Sequence, residues 1–472
     1  MGTTAGERWV LCADFGSTFT KVALVDVHAG ELVATAQHPT TLPGPAGEGD
    51  VLDGYDACVA ALEAEHPGVA DAPARACSSA GGGLRIAVVG NEALVTAEAG
   101  RRVALSSGGK VVLVLDGGLD DDKLATLVSV AADVVLLVGG TDGGNSETLL
   151  HDADVLSRAR WTGPVVVAGD VEARSAVGAS LGRSRTPHVF ADNVVPRIGV
   201  LAPESARRAI REVFLSHVIG GKHLSTRTTH AGRTFESMVV GATPDVVLAG
   251  VELLADELGS TAPGSGVVVV DVGGATTDVH SVVVLDPEES GLSREVVATT
   301  PVTRTVEGDL GMRWSAQTTA AAAAEAGLAV PPEAVRRAAD PAYLPGDEQG
   351  RAGDEAIATA ATVLAVRRHA GRSRVVLSPE GRVVERTGKD LRAVDLLVGS
   401  GGVLRAAEPA VAHRILGAAT GRDPDGWQLP HSPRIVVDAD YVLAAAGLLG
   451  LGDASARDGA RRLLCNSLSA WR

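Results

Sequence analysis

Aromatic residues are scarce in this 472-residue chain: five Phe, three Tyr and five Trp, 3% of the whole. Its cores must therefore be built from Val, Leu and Ala, and few residues are available to stack on nucleic-acid bases. Positive charge is short as well. Forty-two Lys and Arg against 58 Asp and Glu leave a formal net charge of −16. That balance argues against nucleic acid or an anionic membrane as main partner, because both are held by Lys and Arg. The four cysteines, Cys12, Cys58, Cys77 and Cys465, form no C-x-x-C pair, and the chain is too large to depend on disulfides, so reduced thiols are expected. No uninterrupted apolar run of about twenty residues occurs. Met1 to Arg8 lacks the basic, apolar and small-residue order of a signal sequence, so a cytoplasmic location is the default expectation. Two common phosphate signatures are missing too. There is no G-x-G-x-x-G, and Gly108-Gly-Lys110 and Gly220-Gly-Lys222 lack the Ser/Thr and the upstream glycine of a Walker A loop.

What is present is a repeated hairpin. Asp14-Phe-Gly-Ser-Thr-Phe-Thr-Lys21 and Asp271-Val-Gly-Gly-Ala-Thr-Thr-Asp278 each follow an apolar run, Trp9 to Ala13 and Val267 to Val270. Each precedes β-branched residues, Val22 to Val27 and Val279 to Leu285. The pattern is strand, glycine turn, strand, twice. Glycine gives the turn backbone angles a Cβ forbids, so successive N–H groups can point inward around phosphate oxygens. Asp14 and Asp271 stand at the mouths of the turns, where a carboxylate can hold a hydrated Mg²⁺, an ion that keeps most of its waters and needs few protein ligands. Thr18, Thr276 and Thr277 add hydroxyls. One such hairpin is weak evidence, since Gly-Gly turns join strands in proteins that bind nothing. A two-fold repeat implies two similar lobes with a nucleotide clamped between them.

Between the hairpins the character changes. Leu84 to Val89, Val111 to Leu115, Val134 to Val138 and Val165 to Ala168 read as buried strands, alternating with helices at Glu92 to Leu105, Asp121 to Ala132 and Glu147 to Ala159. That alternation predicts a doubly wound α/β module inserted in the first lobe. Inside it, the Gly139 to Asn145 stretch ends a strand and opens a helix. It is either a ligand loop or a long turn with Asn145 or Ser146 as helix cap. Helices are expected at Pro203 to Val218 and Thr243 to Leu258, a strand at Val297 to Val302, and a polar loop from Arg304 to Met312. Glu307 and Asp309 in that loop are either nucleotide or metal contacts or solvated turn residues. A hairpin is read at Val375 to Arg386, turning at Pro379-Glu-Gly381.

The two hairpins, followed by Leu396-Leu-Val-Gly-Ser-Gly-Gly-Val-Leu404, resemble the superfamily of actin, the sugar and acetate kinases and the seventy-kilodalton heat-shock chaperones. Its members carry two phosphate loops and then a glycine pair that receives adenosine. The resemblance sharpens over Asp14 to Lys21, Leu137-Val-Gly-Gly-Thr-Asp-Gly-Gly-Asn145, Asp192-Asn-Val-Val-Pro196, Val306-Glu-Gly-Asp-Leu-Gly311 and Gly399-Ser-Gly-Gly-Val-Leu404. Together these are similar to the glutamate mutase accessory family, called MutL or GlmL, which is unrelated to the mismatch-repair protein of that name. The resemblance implies a duplicated actin-like, ribonuclease H-like two-lobe ATPase fold. Its parts would be 1–80 as the first lobe's N-terminal portion, 81–200 as the inserted module and 201–262 as helices returning to the first lobe, then 263–433 as the second lobe and 434–472 as C-terminal helices packing back on the first.

Carried over residue by residue, the resemblance assigns Asp14 and Asp271 to Mg²⁺ and the attacking water. It assigns Gly16, Ser17, Thr18, Gly273, Gly274 and Thr276 to the phosphates of ATP or ADP, and Gly399, Gly401 and Gly402 to adenosine. Lys21 and Asp278 either join them or pair across strands with something structural. The expected activity is slow ATP hydrolysis, and the expected role is chaperone-like reactivation of an adenosylcobalamin-dependent mutase, such as glutamate (methylaspartate) mutase or an aminomutase, as protein partner. The competing class is a small-molecule kinase or hydantoinase-like ATP-dependent hydrolase of the same fold, since fold does not fix function; an actin-type scaffold is a third. Cobalamin binding by the chain itself is not expected, because Asp26-Val-His-Ala-Gly30 has its glycine one place early for D-x-H-x-x-G.

Overall fold

In a computed structural model that describes residues 8–44, 49–221, 223–286, 299–378 and 381–470, the chain opens as three antiparallel strands, β1 (Trp9–Phe15), β2 (Phe19–Asp26) and β3 (Glu31–Pro39). Leu11, Ala13 and Phe15 alternate into a core that also takes Val22 and Leu24. Helix α1 (Val51–Glu65) then packs Tyr55, Cys58 and Leu62 into the same core. Its start is set by a reciprocal cap: Leu52 N–H donates to Asp50 Oδ1 at 2.8 Å and Asp50 N–H to Asp53 Oδ2 at 2.9 Å. Strand β4 (Ala74–Ser78) follows, parallel to β1.

The module comes next, as β5 (Leu84–Val89), β6 (Gly109–Leu115), β7 (Val134–Leu137), β8 (Val165–Val167) and β9 (His188–Phe190). Its helices are α2 (Glu98–Ser106), α3 (Asp121–Ser129), α4 (Glu147–Arg158) and α5 (Arg174–Arg183), with α6 (Glu204–Val213) after the last strand. All five strands are parallel in the order β6-β5-β7-β8-β9. One face, with Ile86, Val88 and Leu136, shares a core with Val103 of α2 and Ile210 of α6; the other, with Ala87, Val89 and Leu137, packs on Leu127, Ala153 and Val177. Both faces are therefore covered, as a parallel sheet requires. The first face is continuous with the core of the opening strands.

Strand β10 (Val239–Ala242) returns beside β4, completing a sheet ordered β10-β4-β1-β2-β3. Helix α7 (Thr243–Leu258) leads on to β11 (Gly266–Val272), β12 (Thr277–Val283) and β13 (Val302–Glu307), again antiparallel. Helices α8 (Ala316–Glu325), α9 (Ala334–Ala339) and α10 (Glu348–His369) are followed by a hairpin, β14 (Arg372–Ser378) and β15 (Gly381–Thr387). Then come β16 (Leu396–Ser400), α11 (Gly402–Ala406), α12 (Pro409–Gly417) and β17 (Arg434–Val437), with α13 (Val442–Gly450) and α14 (Ala454–Ala470) last. The second sheet is ordered β13-β12-β11-β16-β17, with β16 and β17 parallel to β11. Three antiparallel strands and two parallel ones, in the same spatial order, are thus built twice: the duplicated, actin-like α/β fold that the repeat predicts. Among the described residues, one compact unit comprises residues up to Leu253 with Leu443–Asn466, and the other runs from Leu254 to Val442. No helix among the described residues is long and apolar enough to cross a membrane.

Two sequence expectations shift. The strand read at Val297 to Val302 lies instead at Val302–Glu307; residues 297 and 298 fall outside the described ones. Arg304 and Glu307 disguise it as a loop, yet both are consumed by ion pairs within the second unit. The expected hairpin is present, but residues 379 and 380 of its turn also lie outside the described ones.

In the first unit α7 and α13 meet through glycines. A Cβ on Gly447 would overlap Val246 O, and one on Gly250 would overlap Leu443 O. Any side chain at either position forces the helix backbones apart, which tightly packed interiors tolerate poorly.

Candidate functional site

Register places the same chemistry at the same point of both sheets. Asp14 stands opposite Lys21 across the first hairpin and Asp271 opposite Asp278 across the second. On the other side Asp14 neighbours Cys77 of β4, and Asp271 neighbours Ser400 of β16. The turns are built alike. Gly16 N–H donates to Phe19 O at 3.1 Å, and Gly273 N–H to Thr276 O at 2.9 Å. A Cβ would fall 2.6 Å from Phe19 O in the first and 2.8 Å from Thr276 O in the second, so glycine is required at both. Ser17 and Thr18 are exposed at the first tip, Gly274 and Ala275 at the second. The first turn is clasped from outside: Thr40 Oγ1 donates to Gly16 O at 2.8 Å, and Thr40 N–H to Thr18 O at 2.9 Å.

Asp14 is held by Lys21 and by two residues to which the sequence reading gave no site role. Thr243 Oγ1 donates to its Oδ1 at 2.7 Å, and the Cys77 thiol lies 3.5 Å from the same oxygen. Burial, reinforced by the Asp14 charge, pushes the Cys77 thiol well up, so it stays protonated and can donate. Lys21 Nζ approaches Oδ2 at 3.9 Å. Thr243 is the first residue of α7, the helix pinned by Gly250 and Gly447. The Thr243-Pro-Asp245 start could have flagged it, being a polar residue at a strand-to-helix junction.

In the second unit, Asp271 and the Gly399 to Gly402 stretch come together at the carboxyl ends of adjacent parallel strands, where α/β sheets bind ligands. Gly401 adopts φ of 101°, and a Cβ there would overlap Val272 O and lie 3.0 Å from Asp271 Oδ1. Gly402 is exposed, with nothing within 4 Å of a Cβ. Gly399 is different: it is buried in β16, and a Cβ would meet Leu416 Cδ1 at 2.6 Å and Leu404 Cδ1 at 2.9 Å. Gly399 is thus closely packed in the second unit's core. Asp278 likewise takes the structural alternative, its Oδ1 accepting from Arg304 Nη2 at 2.6 Å while Oδ2 receives Thr276 Oγ1 at 3.3 Å. Arg405 stacks 3.8 Å over the ring of Tyr441, whose φ is 58°, beside the exposed Gly402.

A strap holds the second turn. Met312 N–H donates to Gly273 O at 3.0 Å, Arg313 N–H to Gly274 O at 2.8 Å, and Ser315 Oγ to Ala275 O at 2.6 Å. Arg313 continues to Asp354 at 2.8 Å, whose other oxygen receives Arg337 Nε at 2.6 Å. Glu307 and Asp309 are anchors of this strap: Arg368 bonds both, at 2.8 and 2.7 Å. Among the described residues no three His, Cys, Asp or Glu are placed to cage an ion. Asp14 and Asp271, as single, partly buried carboxylates at turn mouths, fit an ion that keeps its own water shell.

The second unit also holds a buried polar cluster. Lys389 Nζ donates to Ser281 Oγ at 3.1 Å and Thr303 Oγ1 at 2.7 Å, while the His369 ring bridges Ser281 Oγ at 2.8 Å and Thr305 Oγ1 at 2.9 Å. Burial and the Lys389 charge hold His369 well below the usual histidine range, and burial with Arg304 does the same to His280. Both stay neutral when folded but gain protons near pH 6.5 when unfolded, so stability falls as pH drops through that value. In the module, burial pushes Asp152 up to about 6, so the folded state gains a proton there and returns part of the loss. From pH 7.5 to 5.5 we expect a net loss of about 2 kcal/mol, at roughly 1.4 kcal/mol per histidine. Urea midpoints across that range check it; a flat profile would show that the histidines titrate in the folded protein.

The Gly139 to Asn145 loop is tied down by its own neighbours. Asn193 Nδ2 donates to Gly140 O at 3.0 Å and Asp142 Oδ1 at 2.9 Å, Gly143 N–H donates to Asp170 Oδ1 at 3.1 Å, and Asn145 Oδ1 receives Glu147 N–H at 2.9 Å. Two of the stretches quoted for the family resemblance thus hold one another.

Three comparisons with known proteins bear on these arrangements. The family model described as MutL protein matches residues 10–468. Protein MutL from Clostridium tetanomorphum is 34% identical over 452 residues, spanning 93% of this chain and 95% of its own. Among solved structures, a glycerol dehydratase reactivase is 12% identical with a TM-score of 0.31, over 93% of this chain and 99% of its own. A gluconate kinase from Lactobacillus acidophilus is 13% identical with a TM-score of 0.30, over 96% and 91%.

Proposed function

Since the chain belongs to the MutL protein family, matched over nearly its whole length, we propose that it is a nucleotide-driven accessory protein that acts on an adenosylcobalamin-dependent carbon-skeleton mutase or aminomutase, in the manner of a reactivating chaperone. One observation carries the nucleotide part: a glycine turn closed by the same hydrogen bond, with a carboxylate at the same register, recurs in two sheets of identical strand order. In this reading Ser17 and Thr18 offer hydroxyls and N–H groups to phosphate oxygens, and Gly274 and Ala275 offer N–H groups. Gly401 and Gly402 leave room for adenosine. Thr243 and Lys21 hold the Asp14 carboxylate in one orientation, so that it can receive a proton from water or fix a hydrated ion. A hydrated Mg²⁺ held by either carboxylate, Asp14 in the first unit or Asp271 in the second, would supply neutralising charge to the phosphates.

Millimolar Mg-ATP is expected to raise the melting temperature by mass action on the folded state. The matching mutase is expected to change the hydrolysis rate. If mutase binding favours one nucleotide state, that nucleotide must favour mutase binding by the same factor, typically about 5- to 150-fold. Both are measured with purified components, by thermal melts and by mutase titration in ATP and in ADP. No melting shift removes the nucleotide reading. A shift without any mutase effect, but with a phosphorylated metabolite as product, replaces the accessory role with a kinase.

A further inference from the structure

Asp245 stands in the first turn of α7 and is only 1% exposed. A carboxylate so far from water must be paired, and its partners come from the helix that covers the inserted module. Arg211 of α6 grips it with a forked contact, Nε donating to Oδ2 at 2.6 Å and Nη2 to Oδ1 at 3.0 Å. Arg207, one turn earlier on α6, stands 3.8 Å from the same Oδ1 and donates Nη1 to Glu252 Oε1 at 2.8 Å. The two helices are thus bound at two levels of α7. A backbone contact adds to the ion pairs. Gly108, at φ of 78° just before β6, lies so close to α7 that a Cβ there would fall 2.8 Å from Asp245 N and 2.9 Å from Asp245 Cβ.

What Asp245 fixes in turn is the start of α7. Thr243 lies on the same helical turn, and its Oγ1 makes the 2.7 Å bond to Asp14 Oδ1. Pro244 between them has its φ set by its ring, which leaves little slack in the turn. A forked guanidinium fixes direction as well as charge, which a lysine ammonium does not. The hydroxyl that orients Asp14 is therefore placed by groups outside the hairpin. Those groups answer to the module, because Gly108 leads into its edge strand β6 and α6 packs Ile210 on its first face.

We propose that Arg211 is a positioning residue for the Asp14 carboxylate, acting through Asp245 and Thr243, and that it makes the orientation of Asp14 depend on how α6 and the module rest on α7. Anything bound to the module that shifts α6 then changes the nucleotide site without touching either phosphate turn. The effect on rate rests on the proposed role of Asp14 in Mg-ATP hydrolysis. The effect on Thr243 rests on geometry alone.

Two variants of the full-length chain test it, Arg211→Lys and Gly108→Ala. The first keeps a positive charge beside Asp245 but loses the fork, and the second presses on the start of α7 from the module side while altering no charged group. Both are expected to lower kcat for Mg-ATP about tenfold, as a small misplacement of a reacting group does, with KM close to wild type. In a Thr243→Val background the same changes are expected to cost less than about twofold, since the link they act through is already cut. A full tenfold loss in both backgrounds, or a rise in KM alone, makes Arg211 merely structural and overturns the proposal. The second readout needs no turnover. In protein isotope-labelled at its threonine methyls, the Thr243 signal, assigned by its absence from Thr243→Val, is expected to move in Asp14→Asn and in both variants, while the Thr277 signal of the second unit stays. A Thr243 signal unmoved in Arg211→Lys and Gly108→Ala overturns the proposal. If the wild type hydrolyses no Mg-ATP, the nucleotide reading fails, and the Thr243 signal still decides the proposal. Near-ultraviolet circular dichroism identifies a variant that does not fold, and the other then carries the test.

Discussion

Replacing Asp14 or Asp271 with alanine is expected to lower Mg-ATP hydrolysis by about 10²- to 10³-fold, the usual cost of removing one preorganised polar group from a reacting centre. Neither change should unfold the chain, because both side chains stand partly buried at turn mouths and neither belongs to a hydrophobic core. The two substitutions differ in their surroundings. Asp14→Ala leaves Thr243 and Lys21 without the carboxylate they hold, whereas Asp271→Ala leaves Gly401 packed as before against Val272. Thr243→Val should give a smaller loss, since it frees the orientation of Asp14 without removing it, and Thr243→Ser should restore most of the rate. Single-turnover hydrolysis beside near-ultraviolet circular dichroism distinguishes loss of chemistry from loss of fold. Wild-type turnover in both alanine variants would remove these carboxylates from the site.

Asp354→Ala is expected to destabilise the second unit by about 3–5 kcal/mol, the cost of leaving a buried charge uncompensated. The charge is that of Arg337, which is fully buried; it bonds Asp354 at 2.6 Å, gives Nη2 to Gly350 O at 2.9 Å and lies 4.2 Å beneath the Tyr343 ring. Glu333 at 3.3 Å is its remaining carboxylate contact and is not well enough placed to take over. The same change releases Arg313 from its anchor. Nucleotide affinity should therefore fall along with the melting temperature, because the strap on Gly273 and Gly274 loses its hold. Urea unfolding followed by fluorescence in a background where Trp427 is the one tryptophan kept of the five reports the first effect, and nucleotide titration below the transition reports the second. Replacing Asp354 and Arg337 together by apolar residues of similar size should cost much less. Parity between the single and double changes would show that the ion network contributes nothing specific.

Much of the architecture was legible before folding. Runs such as Leu84 to Val89 and Val134 to Val138 read as strands because a parallel sheet covered on both faces needs continuous apolar residues. Helix Thr243 to Leu258 read true because its apolar spacing is helical throughout. Short or polar elements escaped. Strand His188–Phe190 has three residues, too few to show any period. Strand Val302–Glu307 hides Arg304 and Glu307, whose charges suggest solvent until Asp278 and Arg368 are seen beside them.

The site divides in the same way. By itself the sequence determined the two hairpins, since glycine at Gly16 and Gly273 answers to local backbone geometry within four residues, and it determined the carboxylates at the hairpin mouths. Its order also determined the family. Only the tertiary structure decided what the remaining residues pack against and pair with. Gly399 turned inward because Leu404 and Leu416, both later in the chain, close over it. Asp278 went to Arg304, 26 residues on, and Asp14 acquired Thr243, 229 residues on. Such pairings depend on which strand lies beside which, a long-range choice that no local spacing encodes.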